Sequence, residues 1–141
     1  MRFVKMLMLG CLLSIGFAAA ANASVVVRVD KSEQLMHVYI DGDLAYVWPV
    51  STGRWGYNTP AGSYRPYVLR RFHRSSKYDD APMPYSIFFR GGYAIHGTGA
   101  VRRLGMPASH GCIRLHMSNA RELYELVSYY GKDDTRIVIR P

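Results

Sequence analysis

Cys112 lies in the stretch Ala108-Ser109-His110-Gly111-Cys112-Ile113-Arg114-Leu115, and His96 lies just upstream in Ile95-His96-Gly97-Thr98. The chain has two cysteines, and the other, Cys11, belongs to an apolar N-terminal stretch. A lone thiol in an exported domain is a buried filler, a partner for another chain or a reactive group. The glycine before it, the nearby histidines and the local excess of positive charge favour reactivity. They lead us to expect a pKa below the free-thiol value of roughly 8.5. In such chemistry an imidazole takes the thiol proton. Thirteen residues separate His96 from His110, enough for the chain to loop back and bring His96 against Cys112. No Asp or Glu occurs between Arg90 and Asn119, so a backbone carbonyl is expected to orient the base. The N–H groups near Gly111 and Cys112 are candidate donors to an oxyanion, because glycine allows close approach of the chain. His110, Cys112 and His116 are irregularly spaced and lack a second cysteine, a poor match to a tetrahedral zinc site, so no metal is expected.

The elements that must position these groups read mostly as strands. Val25 to Val29 is a β-branched run, and Leu35 to Ile40 alternates. Asp41-Gly42 marks a hairpin, and Leu44 to Val50 returns, with Pro49 pointing to an edge or a bulge. Ser51 to Gly62 and His73 to Pro84 read as loops, with Tyr64 to Phe72 a strand between them. Ser86 to Phe89 and Tyr93 to Ile95 are short strands around Gly91-Gly92. One helix stands out, with Ser118 as its expected N-cap, Leu123, Leu126, Val127 and Tyr130 at helical spacing, and Gly131 as its stop. Thr135 to Ile139 alternates as a last strand. The expected fold is mainly β, a sandwich or barrel-like sheet with one substantial C-terminal helix. Short hairpins argue against a parallel α/β sheet.

The N-terminus reads as an export signal. Arg2 and Lys5 precede an apolar run from Met6 to Ala21, and Ala21-Asn22-Ala23 offers a small-x-small cleavage site. Residues 1–23 are expected to be the signal peptide and 24–141 the single domain. The alternatives are a membrane anchor and a lipid-anchored start at Cys11. Export implies the periplasm or cell envelope, with no stable membrane span after cleavage. The net charge of +8 falls to about +6 without Arg2 and Lys5. That suits anionic wall polymers, phospholipid heads or peptide carboxylates, or simply solubility. The basic residues are mostly scattered and export removes the usual partners, so nucleic acid is not expected.

The His96-Gly97-Thr98 and Ser109-His110-Gly111-Cys112 motifs together resemble the active-site signature of the L,D-transpeptidase catalytic domain, or YkuD domain. The likeness extends to Asp41-Gly42, to Pro49-Val50-Ser51-Thr52-Gly53 and to Thr59-Pro60-Ala61-Gly62, and covers Val25 to Arg140. The resemblance implies Cys112 as nucleophile, His96 as general base and acid, the Gly97 carbonyl as the orienting group, and His110 as a further catalytic residue that lines the site and supports the thiolate or the oxyanion donors. It implies Ser109, Gly111, Arg114 and Thr98 as substrate-binding positions, with Arg114 either meeting a substrate carboxylate or fixing the loop. It implies acyl transfer from a peptidoglycan tetrapeptide stem, releasing D-alanine, to an amine. The acceptor is a second stem, a D-amino acid or an envelope protein's lysine, with water as a competitor, and no cofactor is implied. The interval between the two motifs is short for the family, leaving less of a lid. Trp55, Tyr57, Tyr78 and Tyr85 are candidates for substrate capture or for packing. A wall-binding module without activity and a thiol peptidase acting on ordinary proteins remain alternatives.

Overall fold

The computed structural model describes residues 23–141, so the segment expected to be an export signal lies outside the described residues except for Ala23. Two sheets face each other. The first has five strands: β1 (Val25–Asp30), β2 (Leu35–Ile40), β3 (Asp43–Pro49), β4 (Gly62–Tyr64) and β9 (Thr135–Arg140), ordered β3-β2-β1-β9-β4. The second has four: β5 (Val68–Arg74), β6 (Pro82–Arg90), β7 (Tyr93–Thr98) and β8 (Ile113–His116), in sequence order. One helix, α1 (Met117–Tyr130), precedes β9.

Period-two alternation decides which side chains enter the core. Val25, Val27 and Val29 of β1, Met36 and Val38 of β2, and Ile137 and Ile139 of β9 all point inward and are buried. From the second sheet Ile87, Phe89, Ile95, Ile113 and Leu115 meet them, and α1 adds Ala120, Leu123 and Val127. Asp41 and Gly42 take φ of 50° and 86°, so the β2–β3 hairpin turns where the sequence placed it. β3 is an edge strand, as Pro49 implied.

The mainly β sandwich with one late helix is the expected class, yet each sheet contains a parallel pair, β1 with β9 and β7 with β8. β1 and β9 are separated by all the other elements of the fold, and the 99–112 loop makes the crossover from β7 to β8. Three local expectations need correction. The first half of β6 runs through Pro82 and Pro84, placed in a loop by the sequence. It pairs with β5 alone, since β7 joins only from Ile87 onward, and prolines are tolerated on a strand open on one side. The strand expected over Tyr64 to Phe72 is divided between the two sheets as β4 and β5. The helix cap is His116, not Ser118: its Nδ1 accepts the Ser118 N–H at 3.2 Å.

Candidate active site

The parallel register of β7 and β8 places the two candidate reacting side chains. Ile95 aligns with Ile113 and His96 with Arg114, which sets Cys112 beside Ala94. Ile95 and Ile113 face the core. Their neighbours in sequence, His96, Cys112 and Arg114, therefore face the other way. That outer face carries a small apolar cluster of Met83, Phe88 and Ala94, against which Cys112 and Val68 pack. The β5–β6 connection, closed by the Ser75 N–H on the Ala81 carbonyl, arches over it.

Cys112 borders two cavities. One, of about 310 Å³, is lined by His96, Gly97, Thr98, Arg114 and Met83 together with Cys112. The other, of about 520 Å³, is lined by Tyr57, Asn58, Lys77 and Tyr93 with Cys112. His110 and Tyr78 border both and separate them. Their rings stack at 4.4 Å and 15°, and Tyr57 packs edge-on against His110 at 4.8 Å. Tyr85, another aromatic considered for the groove, instead packs on Tyr124 of α1.

His96 is buried, and its Nδ1 lies 2.8 Å from the Gly97 carbonyl. A carbonyl only accepts, so Nδ1 carries the proton and Nε2 keeps its lone pair free. Burial pushes the imidazole down to about 4; Arg114 and His73 add repulsion, while the Gly97 carbonyl opposes the shift. Burial also pushes the Cys112 thiol above its ordinary value, outweighing the Ala94 N–H and the Arg114 charge, which favour the thiolate. This runs against the expected lowering of the thiol pKa, and burial favours the uncharged forms of both the thiol and the imidazole. The thiol is directed at the Gly92 carbonyl, with Sγ···O at 3.8 Å, and no hydrogen bond joins it to His96 among the described residues.

The loop that presents Cys112 is clasped from within. The Ser109 hydroxyl donates to the Cys112 carbonyl at 2.5 Å and accepts the Gly111 N–H at 3.0 Å. Ser109 is buried and its hydroxyl is engaged in holding the loop, which differs from the expected contact with substrate. The Gly111 N–H is likewise occupied and is no free oxyanion donor. Gly111 has φ of 122°, and a Cβ there would come within 2.7 Å of the Tyr93 ring, so glycine is required both by conformation and by space. Gly97 faces α1, where a Cβ would lie 2.8 Å from Met117 Sδ. Thr98 Oγ1 accepts the Ala100 N–H at 3.1 Å while bordering the smaller cavity. Arg114 is half-buried in that cavity and has no carboxylate partner among the described residues. Burial, with Arg54 and Arg103 nearby, lowers its pKa from the ordinary arginine value. Burial and the Arg54 and Arg114 charges lower that of His110.

Sequence reasoning overlooked the groups that hold this loop in place. Thr59 is buried; its hydroxyl accepts the Gly53 N–H at 2.9 Å and donates to the Gly111 carbonyl at 2.7 Å. The Thr52 carbonyl accepts the N–H groups of Ala108 and Ser109, and Thr52 is itself gripped by the Gln34 amide. The signal was present in Ser51-Thr52-Gly53 and Thr59-Pro60-Ala61-Gly62, which read as parts of a loop but supply hydrogen-bonding braces. A Cβ on Gly53 would come within 1.6 Å of the Tyr57 carbonyl oxygen, which leaves room only for glycine there.

The family model for the L,D-transpeptidase catalytic domain, YkuD, matches residues 24–139. A relative from Escherichia coli K12, described as a probable L,D-transpeptidase and called YbiS, is 26% identical, over 70% of this chain and 40% of the relative. The chain thus spans less than half the length of that relative. An L,D-transpeptidase structure from Stackebrandtia nassauensis superposes with a TM-score of 0.75 at 28% identity, covering 92% of this chain and 62% of that one. L,D-transpeptidase 3 from Mycobacterium tuberculosis, solved with a faropenem-derived adduct, gives a TM-score of 0.73 at 25% identity, covering 84% and 61%. With nearly every residue of the sandwich inside the matched span, the chain belongs to the L,D-transpeptidase catalytic domain family.

Proposed function

We propose that the domain catalyses acyl transfer through Cys112 on peptidoglycan stem peptides. The observation that carries this reading is the placement of Cys112 and His96 on one face of the β7–β8 pair, opening to one cavity, with the imidazole held as its Nδ1–H tautomer. Donor binding turns the thiol from the Gly92 carbonyl towards His96 Nε2. As Sγ attacks the carbonyl between the L-centre of the diamino acid and the terminal D-alanine, Nε2 takes the thiol proton. The tetrahedral oxyanion meets the backbone N–H of Cys112, since that of Gly111 is engaged. His96 returns the proton to the departing D-alanine nitrogen, the C–N bond breaks and a thioester remains. An amine then attacks the thioester, giving its proton to His96, which passes it back to sulfur.

A neutral resting pair suits this sequence, because charge separates only when substrate excludes water. Arg114, half-buried and without a carboxylate of its own, is assigned to a carboxylate of the stem. The relatives' names and the faropenem-derived adduct support an acylatable site. Export to the envelope accords with such a substrate, and no helix among the described residues is long and apolar enough to cross a membrane. The expected products from a tetrapeptide stem with an added amine are free D-alanine and the amide, resolved by mass spectrometry. Cleavage of an ordinary protein such as casein, with the tetrapeptide left intact, would mark a different thiol enzyme. Tetrapeptide binding without turnover would mark a wall-binding module.

A further inference from the structure

Trp55 is the most exposed large apolar side chain among the described residues, at 98%. Its backbone is nevertheless fixed. The Arg54 carbonyl accepts the Tyr57 N–H at 2.9 Å, closing a β-turn with Trp55 and Gly56 at its centre, and Gly56 takes the left-handed φ of 84° that such a turn uses. The Arg54 N–H donates to the Ser109 carbonyl at 3.0 Å, so the turn is tied directly to the loop that presents Cys112. The Arg54 guanidinium lies over the Tyr57 ring at 4.8 Å. Gly56, Tyr57 and Asn58 then form one wall of the larger cavity that reaches Cys112. A rigid turn next to this cavity therefore holds an unpacked indole, and Asn58 and Lys77 supply hydrogen-bond donors to the cavity lining.

We propose that the turn 54–57 is a saccharide platform: an N-acetylated amino-sugar of the glycan strand stacks on Trp55 while the attached peptide enters the cavity towards Cys112. This rests on the proposed acyl-transfer reading and adds a subsite for the polymer that carries the stem. A pyranose ring offers an apolar C–H face and a hydroxyl-rich edge. An exposed indole on the turn and a neighbouring cavity lined by the Asn58 and Lys77 donors complement the two. A membrane-inserting tryptophan would need no donor-lined cavity beside its turn and no backbone tie to the loop that carries the thiol.

The test compares wild type with Trp55→Ala on two donors, a free tetrapeptide and the same tetrapeptide linked to its disaccharide. The preference for the glycan-linked donor should fall about three- to tenfold, through KM with kcat held, because stacking remote from the reacting carbonyl is uniform binding. Trp55→Tyr should restore part of it. Independently of turnover, N-acetylglucosamine oligomers should shift and quench indole emission in wild type and not in Trp55→Ala; the other tryptophan, Trp48, is buried and stacked on Tyr46. An unchanged donor preference together with silence to the oligomers overturns the platform, as does an emission response to anionic phospholipid vesicles alone. Failure of both donors to turn over, with the oligomer titration intact, counts against acyl transfer and leaves the saccharide platform standing.

Discussion

The two faces of the β7–β8 pair share one backbone and divide the labour of the protein. On the inner face Ile95, Ile113 and Leu115 are essentially fully buried in the main core. On the outer face, one residue away in each case, His96, Cys112 and Arg114 border a cavity. Period-two alternation makes this possible in a strand as short as β8. The site is precise because its opposite side is core: a shift of the register by one residue would exchange an isoleucine for the thiol. The inner face does not tolerate lost volume, whereas the outer face does not tolerate changed chemistry.

Four substitutions separate the two faces. Cys112→Ala should lower tetrapeptide turnover by about 10⁴-fold or more, since the nucleophile is gone, while thermal unfolding moves little. A large loss of stability would show that the sulfur serves packing. His96→Gln should cost roughly 10²- to 10⁴-fold in kcat. It should also change the acid response of stability. Burial holds the imidazole at about 4, below its ordinary value of 6.5, so the unfolded chain takes up a proton first as pH falls. Stability is then fully present above pH 6.5 and declines towards pH 4. The group's share is of the order of 3 kcal/mol, and denaturant titrations at several pH values should find it missing in His96→Gln. An identical pH response in both proteins would place that ring in solvent.

Ile113→Ala, on the other face, should destabilise by about 2–5 kcal/mol in denaturant unfolding, because the side chain is fully buried and leaves a void. Activity measured well below the melting temperature should fall far less than in Cys112→Ala. Thr59→Val should cost about 1–3 kcal/mol by leaving the Gly53 N–H and Gly111 carbonyl without their partner. It should also slow turnover modestly, as the Cys112 loop loses its brace. A neutral outcome would mean that the Ser109 hydroxyl and the Thr52 and Arg54 backbone contacts hold the loop without Thr59.

Much of this division was legible in the sequence, for identifiable reasons. The β2–β3 hairpin announced itself through Asp41-Gly42, and α1 through the spacing of Leu123, Leu126 and Val127. The pairing of His96 with the Cys112 loop followed from residue types and from the interval between them. β8 was not legible, because Ile113–His116 has only four residues and passes directly into α1 without a turn. The β1–β9 pairing was missed because it joins segments distant in sequence, and the β7–β8 pairing because β8 itself could not be read. The Thr59 and Gln34 braces were missed because a polar residue in a turn looks the same whether it meets solvent or a buried carbonyl. The thiol's raised pKa was hidden for a related reason: neighbouring charges can be counted along a sequence, but burial cannot, and burial dominates here.

In the proposed reaction Cys112, assisted by a neutral His96, accepts an acyl group. Intact-mass spectrometry of the protein after exposure to a carbapenem tests it most directly. One covalent adduct is expected on wild type, located on the Cys112 peptide, formed much more slowly in His96→Gln and absent from Cys112→Ala. An unmodified wild-type mass, or an adduct that persists in Cys112→Ala, would contradict it.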